Sequence, residues 1–212
     1  MPVARTKRTF GIVLAALAAL AASAGLVSTT GQASAHAAAC TDIDFVVARG
    51  TFEPGTLGVI VGDPVNSALK STLTGKTVSA YPVNYPANLD ADSPTKGNTD
   101  MVNHVTSQAA ACPGQRFVLA GYSQGAAVLN RSIGIGTGSV ATIPASLQSR
   151  VAAVLFFGNP LRGQGTSGPY GSKIKDFCQD GDPVCNNGNS FLAHLLYFRN
   201  AQEAADYVKS KV

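Results

Sequence analysis

The sequence predicts an α/β fold: a three-layer sandwich with a central, mainly parallel sheet and helices on both faces. Three observations carry that expectation. The runs Ile43–Ala48, Phe117–Ala120 and Val151–Phe157 are rich in β-branched and aromatic residues and largely apolar from end to end. Strands covered on both faces read this way, whereas half-exposed strands alternate. Segments with helical spacing separate the runs, and strand–helix alternation is the pattern of a parallel sheet with right-handed crossovers. No internal repeat or low-complexity linker breaks the alternation after the first 35 residues, so the remaining ~175 residues suit a single domain with one sizeable core.

Taken in order, residues 1–35 read as a secretory signal. Arg5, Lys7 and Arg8 form a positive start, Gly11–Val27 is mostly apolar and uncharged, and Ala33-Ser34-Ala35 is a small-x-small cleavage site. A retained membrane anchor is the competing reading. The Ala-rich run and the small residues behind it favour cleavage and no stable membrane insertion. The working domain is therefore expected over 36–212, exported from the cell.

Within it, Ile43–Ala48 is the first strand. Asp63-Pro64 reads as N-cap and first helical residue, Val65, Ala68, Leu69 and Leu73 share one helical face, and Gly75 closes the segment. Val78–Val83 is a weaker strand. Met101, Val102, Val105 and Ala109 mark a second helix, stopped by Pro113-Gly114. Phe117–Ala120 is the next strand, a third helix opens after Ser123, and Val151–Phe157 follows. The last helix has Ala201, Ala204, Ala205 and Val208 on one face.

Charge and cysteines narrow the function classes. The chain carries a net +4, but Arg5, Lys7 and Arg8 supply three of those charges and no acid offsets them before residue 36, leaving +1. With no basic run, nothing speaks for nucleic acid as a partner. Four cysteines in an exported chain suggest two disulfides with three possible connectivities. Cys178 and Cys185 enclose six residues and form the natural local pair, which leaves Cys40 with Cys112. A zinc site is disfavoured because no histidine or second close cysteine pair stands at ligand spacing.

Gly121-Tyr122-Ser123-Gln124-Gly125 fits G-x-S-x-G. The pattern alone is unspecific, so its flanks decide. Arg116-Phe117-Val118-Leu119-Ala120 is a strand signal ending at the motif, and Ala126-Ala127-Val128-Leu129 opens a helix behind it. A serine at such a strand-to-helix turn is strained and projects above the sheet, with a helix N-terminus behind it. Serine needs a base, and the base an acid to orient it. In this fold class the chain order is serine, acid, histidine. Of the three histidines, His36 sits at the cleavage site and His104 precedes the serine, which leaves His194. Between Ser123 and His194 the acids are Asp176, Asp180 and Asp182. Asp180-Gly181-Asp182 resembles part of a calcium loop, but the alternating ligands and closing Glu are missing, so no metal is expected.

These residues closely resemble the cutinase family. The match is carried by Gly121-Tyr122-Ser123-Gln124-Gly125, by Cys178 with Gly181-Asp182-Pro183-Val184-Cys185, and by Ala193-His194-Leu195 with Tyr197. Ala48-Arg49-Gly50-Thr51 with Glu53 adds a first-strand motif, while Val83-Asn84-Tyr85-Pro86-Ala87 and Phe157-Gly158-Asn159-Pro160 resemble an actinobacterial, cutinase-like branch. The resemblance runs from about Cys40 to Val212. It implies an α/β-hydrolase without a lid, acting as a serine esterase on carboxylic esters and needing no cofactor. Ser123 would be the nucleophile, Asp182 the orienting acid and His194 the base. The Gln124 backbone N–H and Thr51, where family members often carry Ser, would form the oxyanion hole, and the Cys178–Cys185 bridge would hold the loop bearing Asp182.

Only eleven residues separate Asp182 from His194, which leaves no room there for a lid. Pro183, Val184, Phe191, Leu192 and Leu195 bring apolar groups close to the two, favouring an acyl chain at the rim; Val184 and Leu192 are the expected substrate contacts. The expected partner is a polyester or lipid-like ester, met by a monomer. Two other readings remain open: an acetylxylan esterase using the same three residues, or an exported surface protein that keeps the fold without the chemistry.

Overall fold

The computed structural model describes residues 40–136, 138–164 and 168–212, so the expected signal at 1–35 and His36 lie outside the described residues. The described residues form one compact unit. Five parallel strands make its sheet: β1 (Ile43–Ala48), β2 (Val78–Pro82), β3 (Arg116–Tyr122), β4 (Val151–Phe157) and β5 (Ile174–Phe177), in the spatial order β2-β1-β3-β4-β5. The helices are α1 (Gly62–Thr72), α2 (Ser93–Ala111), α3 (Gln124–Ser132), the short α4 (Phe191–His194) and α5 (Ala201–Lys209).

The continuous apolar runs are explained by two cores. Phe45 and Val47 of β1 pack with Val118, Ala120, Leu155 and Phe157 against Val65 and Leu69 of α1 and Ala204, Ala205 and Val208 of α5. Val46 and Ala48 turn to the other face, with Leu119, Val154 and Phe156, against Met101 and Val105 of α2 and Val128 and Leu129 of α3. Alternate residues of each central strand serve opposite layers, so both must be apolar. The strand order reverses between β1 and β3, and the crevice beyond the carboxyl ends of two such strands is where open α/β sheets bind ligands.

Three elements differ from the sequence expectation. Helix α1 begins at Gly62, and Asp63 lies in its first turn without a capping hydrogen bond. The Asp63 N–H donates instead to the Gly58 carbonyl at 2.9 Å, so the preceding loop satisfies the donor that a cap would have met. Helix α2 starts at Ser93, with Pro94 in its first turn, well before the apolar stripe at Met101. Strand β5 has no counterpart among the apolar runs of the sequence. It has only four residues, lies at the sheet edge, and buries Phe177 alone, so it lacks the apolar run that marks the others.

Cys40 pairs with Cys112 and Cys178 with Cys185. The first bridge ties the start of the described chain to the end of α2 across a separation of 72 residues. A ring of that size is worth about 4 kcal/mol in the chain-entropy account, against about 2 for the seven-residue separation of the second bridge. Cys112→Ser should therefore lower Tm by roughly 10 °C while leaving kcat nearly unchanged. Thermal unfolding alongside a steady-state assay checks this, and a Cys112→Ser protein with wild-type Tm contradicts it.

Candidate active site

Ser123 is the single residue between the end of β3 and the start of α3, with φ 53° and ψ −115°. That is a strained conformation for a residue with a Cβ, and the surroundings impose it. Its N–H is held by the Phe157 carbonyl of β4 at 2.9 Å. The flanking glycines permit the turn. A Cβ at Gly121 would stand 2.3 Å from the Gly125 carbonyl oxygen, and one at Gly125 would stand 1.9 Å from that of Ala48. Both are impossible contacts, so the motif's glycines are steric requirements of the strand–helix crossing.

The fold brings His194 to this serine. Its ring lies at the end of α4, whose first turn is capped by Ser190 Oγ accepting from the Ala193 N–H at 3.3 Å. The Tyr122 hydroxyl donates to the His194 carbonyl at 2.8 Å. His194 Nε2 lies 2.9 Å from Ser123 Oγ, and Nδ1 lies 2.8 Å from Asp182 Oδ2. Because an ionised carboxylate can only accept, Nδ1 carries the proton and Nε2 presents its lone pair to the serine hydroxyl.

Asp182 is fully buried. Burial by itself pushes its carboxyl up, but hydrogen bonds from Tyr197, His194 and the Val184 N–H outweigh that and hold it below the ordinary aspartate value. Its folded-state value is depressed, so the ionised group adds stability above the ordinary carboxylate range and loses it as pH falls. The other two acids do not reach His194. Asp180 is exposed, and Asp176, in β5, faces Arg162 at 3.6 Å. His104 lies elsewhere, 2.7 Å from Asp44 and stacked on Tyr81.

Thr51 and Ser123 line the same cavity, of about 500 Å³, at the carboxyl ends of β1 and β3. Gln124 is the first residue of α3, where a backbone N–H has no partner within the helix. Its side chain is tied down, with Oε1 accepting from Ser93 Oγ at 2.9 Å and Nε2 donating to the Asn88 carbonyl at 2.7 Å. A residue that sequence reasoning left without a role fixes the loop carrying Thr51. Buried Glu53 accepts from the Gly50 N–H at 2.6 Å and the Ile60 N–H at 2.7 Å. Burial pushes its carboxyl up against the pull of those donors. The only hint in the sequence was the spacing Gly50-Thr51-x-Glu53.

Of the two residues expected to contact substrate, Val184 lines the cavity and Leu192 does not. Phe191 and Leu195, one helical turn apart, face the cavity instead, while Leu192 lies off that face and is exposed. Phe52, Leu89 and Phe191, exposed by 69%, 79% and 70%, form an apolar rim. Among the described residues, no three His, Cys, Asp or Glu side chains gather as a metal site requires, and no helix is long and apolar enough to cross a membrane.

The loop bearing Asp182 is closed by Cys178–Cys185. Cys185→Ser should therefore lower kcat by roughly ten-fold or more with a smaller loss of Tm than Cys112→Ser, since the short ring adds little stability but restrains the carboxylate. Equal proportional losses of activity and Tm in the two variants would make the second bridge merely structural.

Known proteins resemble this chain over most of its length. Residues 39–212 match the family model described as Cutinase. The chain is 45% identical over 173 residues to a protein named Cutinase from Kineococcus radiotolerans, covering 77% of this chain and 58% of that relative's length. It is 38% identical to Phospholipase Culp4 of Mycobacterium tuberculosis, covering 92% and 90% of the two chains. A solved acetylxylan esterase superposes with a TM-score of 0.70 at 27% identity, over 81% of this chain and 99% of that one.

Proposed function

This chain belongs to the cutinase family of serine ester hydrolases, and from that premise we propose that it is an exported esterase acting on carboxylic esters with apolar acyl chains, through Ser123, His194 and Asp182. The observation that carries this reading is the hydrogen-bonded series Ser123–His194–Asp182 at an apolar cavity. In the proposed reaction His194 Nε2 removes the hydroxyl proton as Ser123 Oγ forms a bond to the ester carbonyl carbon. The resulting oxyanion is met by the backbone N–H of Gln124 and by Thr51, and the positive end of α3 favours its charge. The intermediate collapses, the alcohol leaves with the proton from His194, and an acyl-enzyme remains. Water then attacks the acyl carbon with His194 again taking the proton, which releases the acid and restores the serine.

The substrate class follows from the walls. Ile60, Val184, Phe191 and Leu195 around the serine suit a hydrocarbon chain, and the exposed rim suits an ester presented by a polymer or lipid aggregate. Export is supported by the residues at 1–35 and by two disulfides, which persist in oxidising compartments. The enzyme is proposed to act as a monomer, and size-exclusion chromatography tests that.

A chain-length series discriminates the substrates. With p-nitrophenyl esters, kcat/KM should rise from acetyl to the butyryl–octanoyl range by about ten-fold, as one or two extra buried methylenes allow. A maximum at acetyl would favour the acetyl-polysaccharide reading. Failure of a fluorophosphonate probe to label Ser123 would leave a fold without chemistry.

A further inference from the structure

Tyr197 closes the segment Ala193-His194-Leu195-Leu196-Tyr197, and no step of the acyl transfer above uses it. Its side chain is fully buried. Its hydroxyl meets three groups: the Gln179 backbone N–H at 3.1 Å, Cys185 Sγ at 3.3 Å, and Asp182 Oδ2. A phenol has one proton to donate. The Gln179 N–H is itself a donor, and the Cys185 sulfur is a weak acceptor locked in a disulfide. The Asp182 carboxylate is therefore the acceptor, and the phenol proton goes to Oδ2. That same oxygen receives Nδ1–H of His194, while Oδ1 is held by the Val184 N–H at 2.7 Å. A donor on each oxygen, independent of the histidine, fixes the rotation of the carboxylate.

We infer that Tyr197 is a positioning residue for ester hydrolysis, acting through Asp182: its O–H locks the carboxylate and draws charge from the oxygen that faces His194. The inference rests on the Ser123–His194–Asp182 reading. The Tyr197 ring stands edge-on to His194 with centroids 6.0 Å apart, so its packing is separable from its hydroxyl. Tyr197→Phe keeps the ring and removes only the donor. Oδ2 then holds more charge and binds the protonated imidazole more tightly, and the carboxylate gains freedom to turn. The other titratable groups facing this pair are Tyr122, whose phenol burial keeps neutral, and Glu53 beside it.

The test is the pH dependence of hydrolysis of p-nitrophenyl butyrate by Tyr197→Phe, Asp182→Asn and the double variant, with Tm measured for each. Tyr197→Phe should lower kcat by roughly 10- to 100-fold with KM within about two-fold, and move the acid limb of kcat/KM to higher pH. In the Asp182→Asn background the same change should cost less than about two-fold, because the two act as one unit. Site-specific 3-fluorotyrosine at 197, a stronger donor of nearly the same size, should move the limb the opposite way. An unmoved limb in both variants, or an equal loss in both backgrounds, overturns the inference and leaves Tyr197 a packing residue. Failure of the underlying reading has a different signature, an Asp182→Asn enzyme that is itself active.

Discussion

Ser123→Ala and His194→Ala are each expected to lower kcat by about 10⁴-fold or more, and combining them should cost little beyond either alone. The reason lies in the 2.9 Å contact between His194 Nε2 and Ser123 Oγ. A serine hydroxyl stays protonated at neutral pH, so without the base there is almost no nucleophile, and without the nucleophile the base has nothing to activate. What survives is the contribution of the oxyanion donors and of binding, which remain in either variant. Folding should be little affected in Ser123→Ala, since alanine keeps the Cβ and the imposed turn and only the hydroxyl contact with His194 is lost. Steady-state kinetics with melting curves makes the check, and a His194→Ala enzyme retaining more than about a tenth of wild-type activity would falsify the assignment.

The second large effect distinguishes the acids. Asp182→Asn should lower kcat by about 10⁴-fold, because an amide can present its NH₂ to Nδ1 and so favour the tautomer in which Nε2 carries the proton. Nε2 then cannot accept from Ser123. The buried site sharpens the effect, since the Tyr197 and Val184 donors and His194 are all arranged around an acceptor-only group. Asp180→Asn should change kcat by less than about two-fold, as an exposed turn substitution. Asp176→Asn should also retain activity, because Asp176 faces Arg162 rather than the histidine. A sensitive Asp180 with a tolerant Asp182 would shift the site two residues along the chain and overturn the reading of the loop.

Two of the disagreements with the sequence, at β5 and at α4, share one cause. Four-residue elements such as β5 and α4 bury one or two side chains each, so they lack the periodic apolar pattern by which longer strands and helices announce themselves. The sequence places both Phe191 and Leu192 near the rim but does not tell which of them meets the cavity, because the face of α4 turned to it depends on how that single turn is seated. The polar first half of α2 is a related case. Asn98 there is buried and hydrogen-bonds to Ser132 of α3 and the Ala141 carbonyl, a polar contact that reads as solvent-facing until its partners are known.

By itself, the sequence determined the sheet's buried strands, the serine turn and the shortlist of base and acids. Each of these rests on the order of residues along the chain: apolar runs for strands covered on both faces, glycines where a Cβ cannot fit, and the succession of serine, acid and histidine. Only the tertiary structure decided which of three acids meets His194, that Glu53 braces the Thr51 loop, that Tyr197 reaches the Asp182 carboxylate, and which apolar side chains ring the serine. Those outcomes depend on distances between segments far apart in the chain, set by packing of five strands and their helices, and no local pattern encodes a distance of that kind.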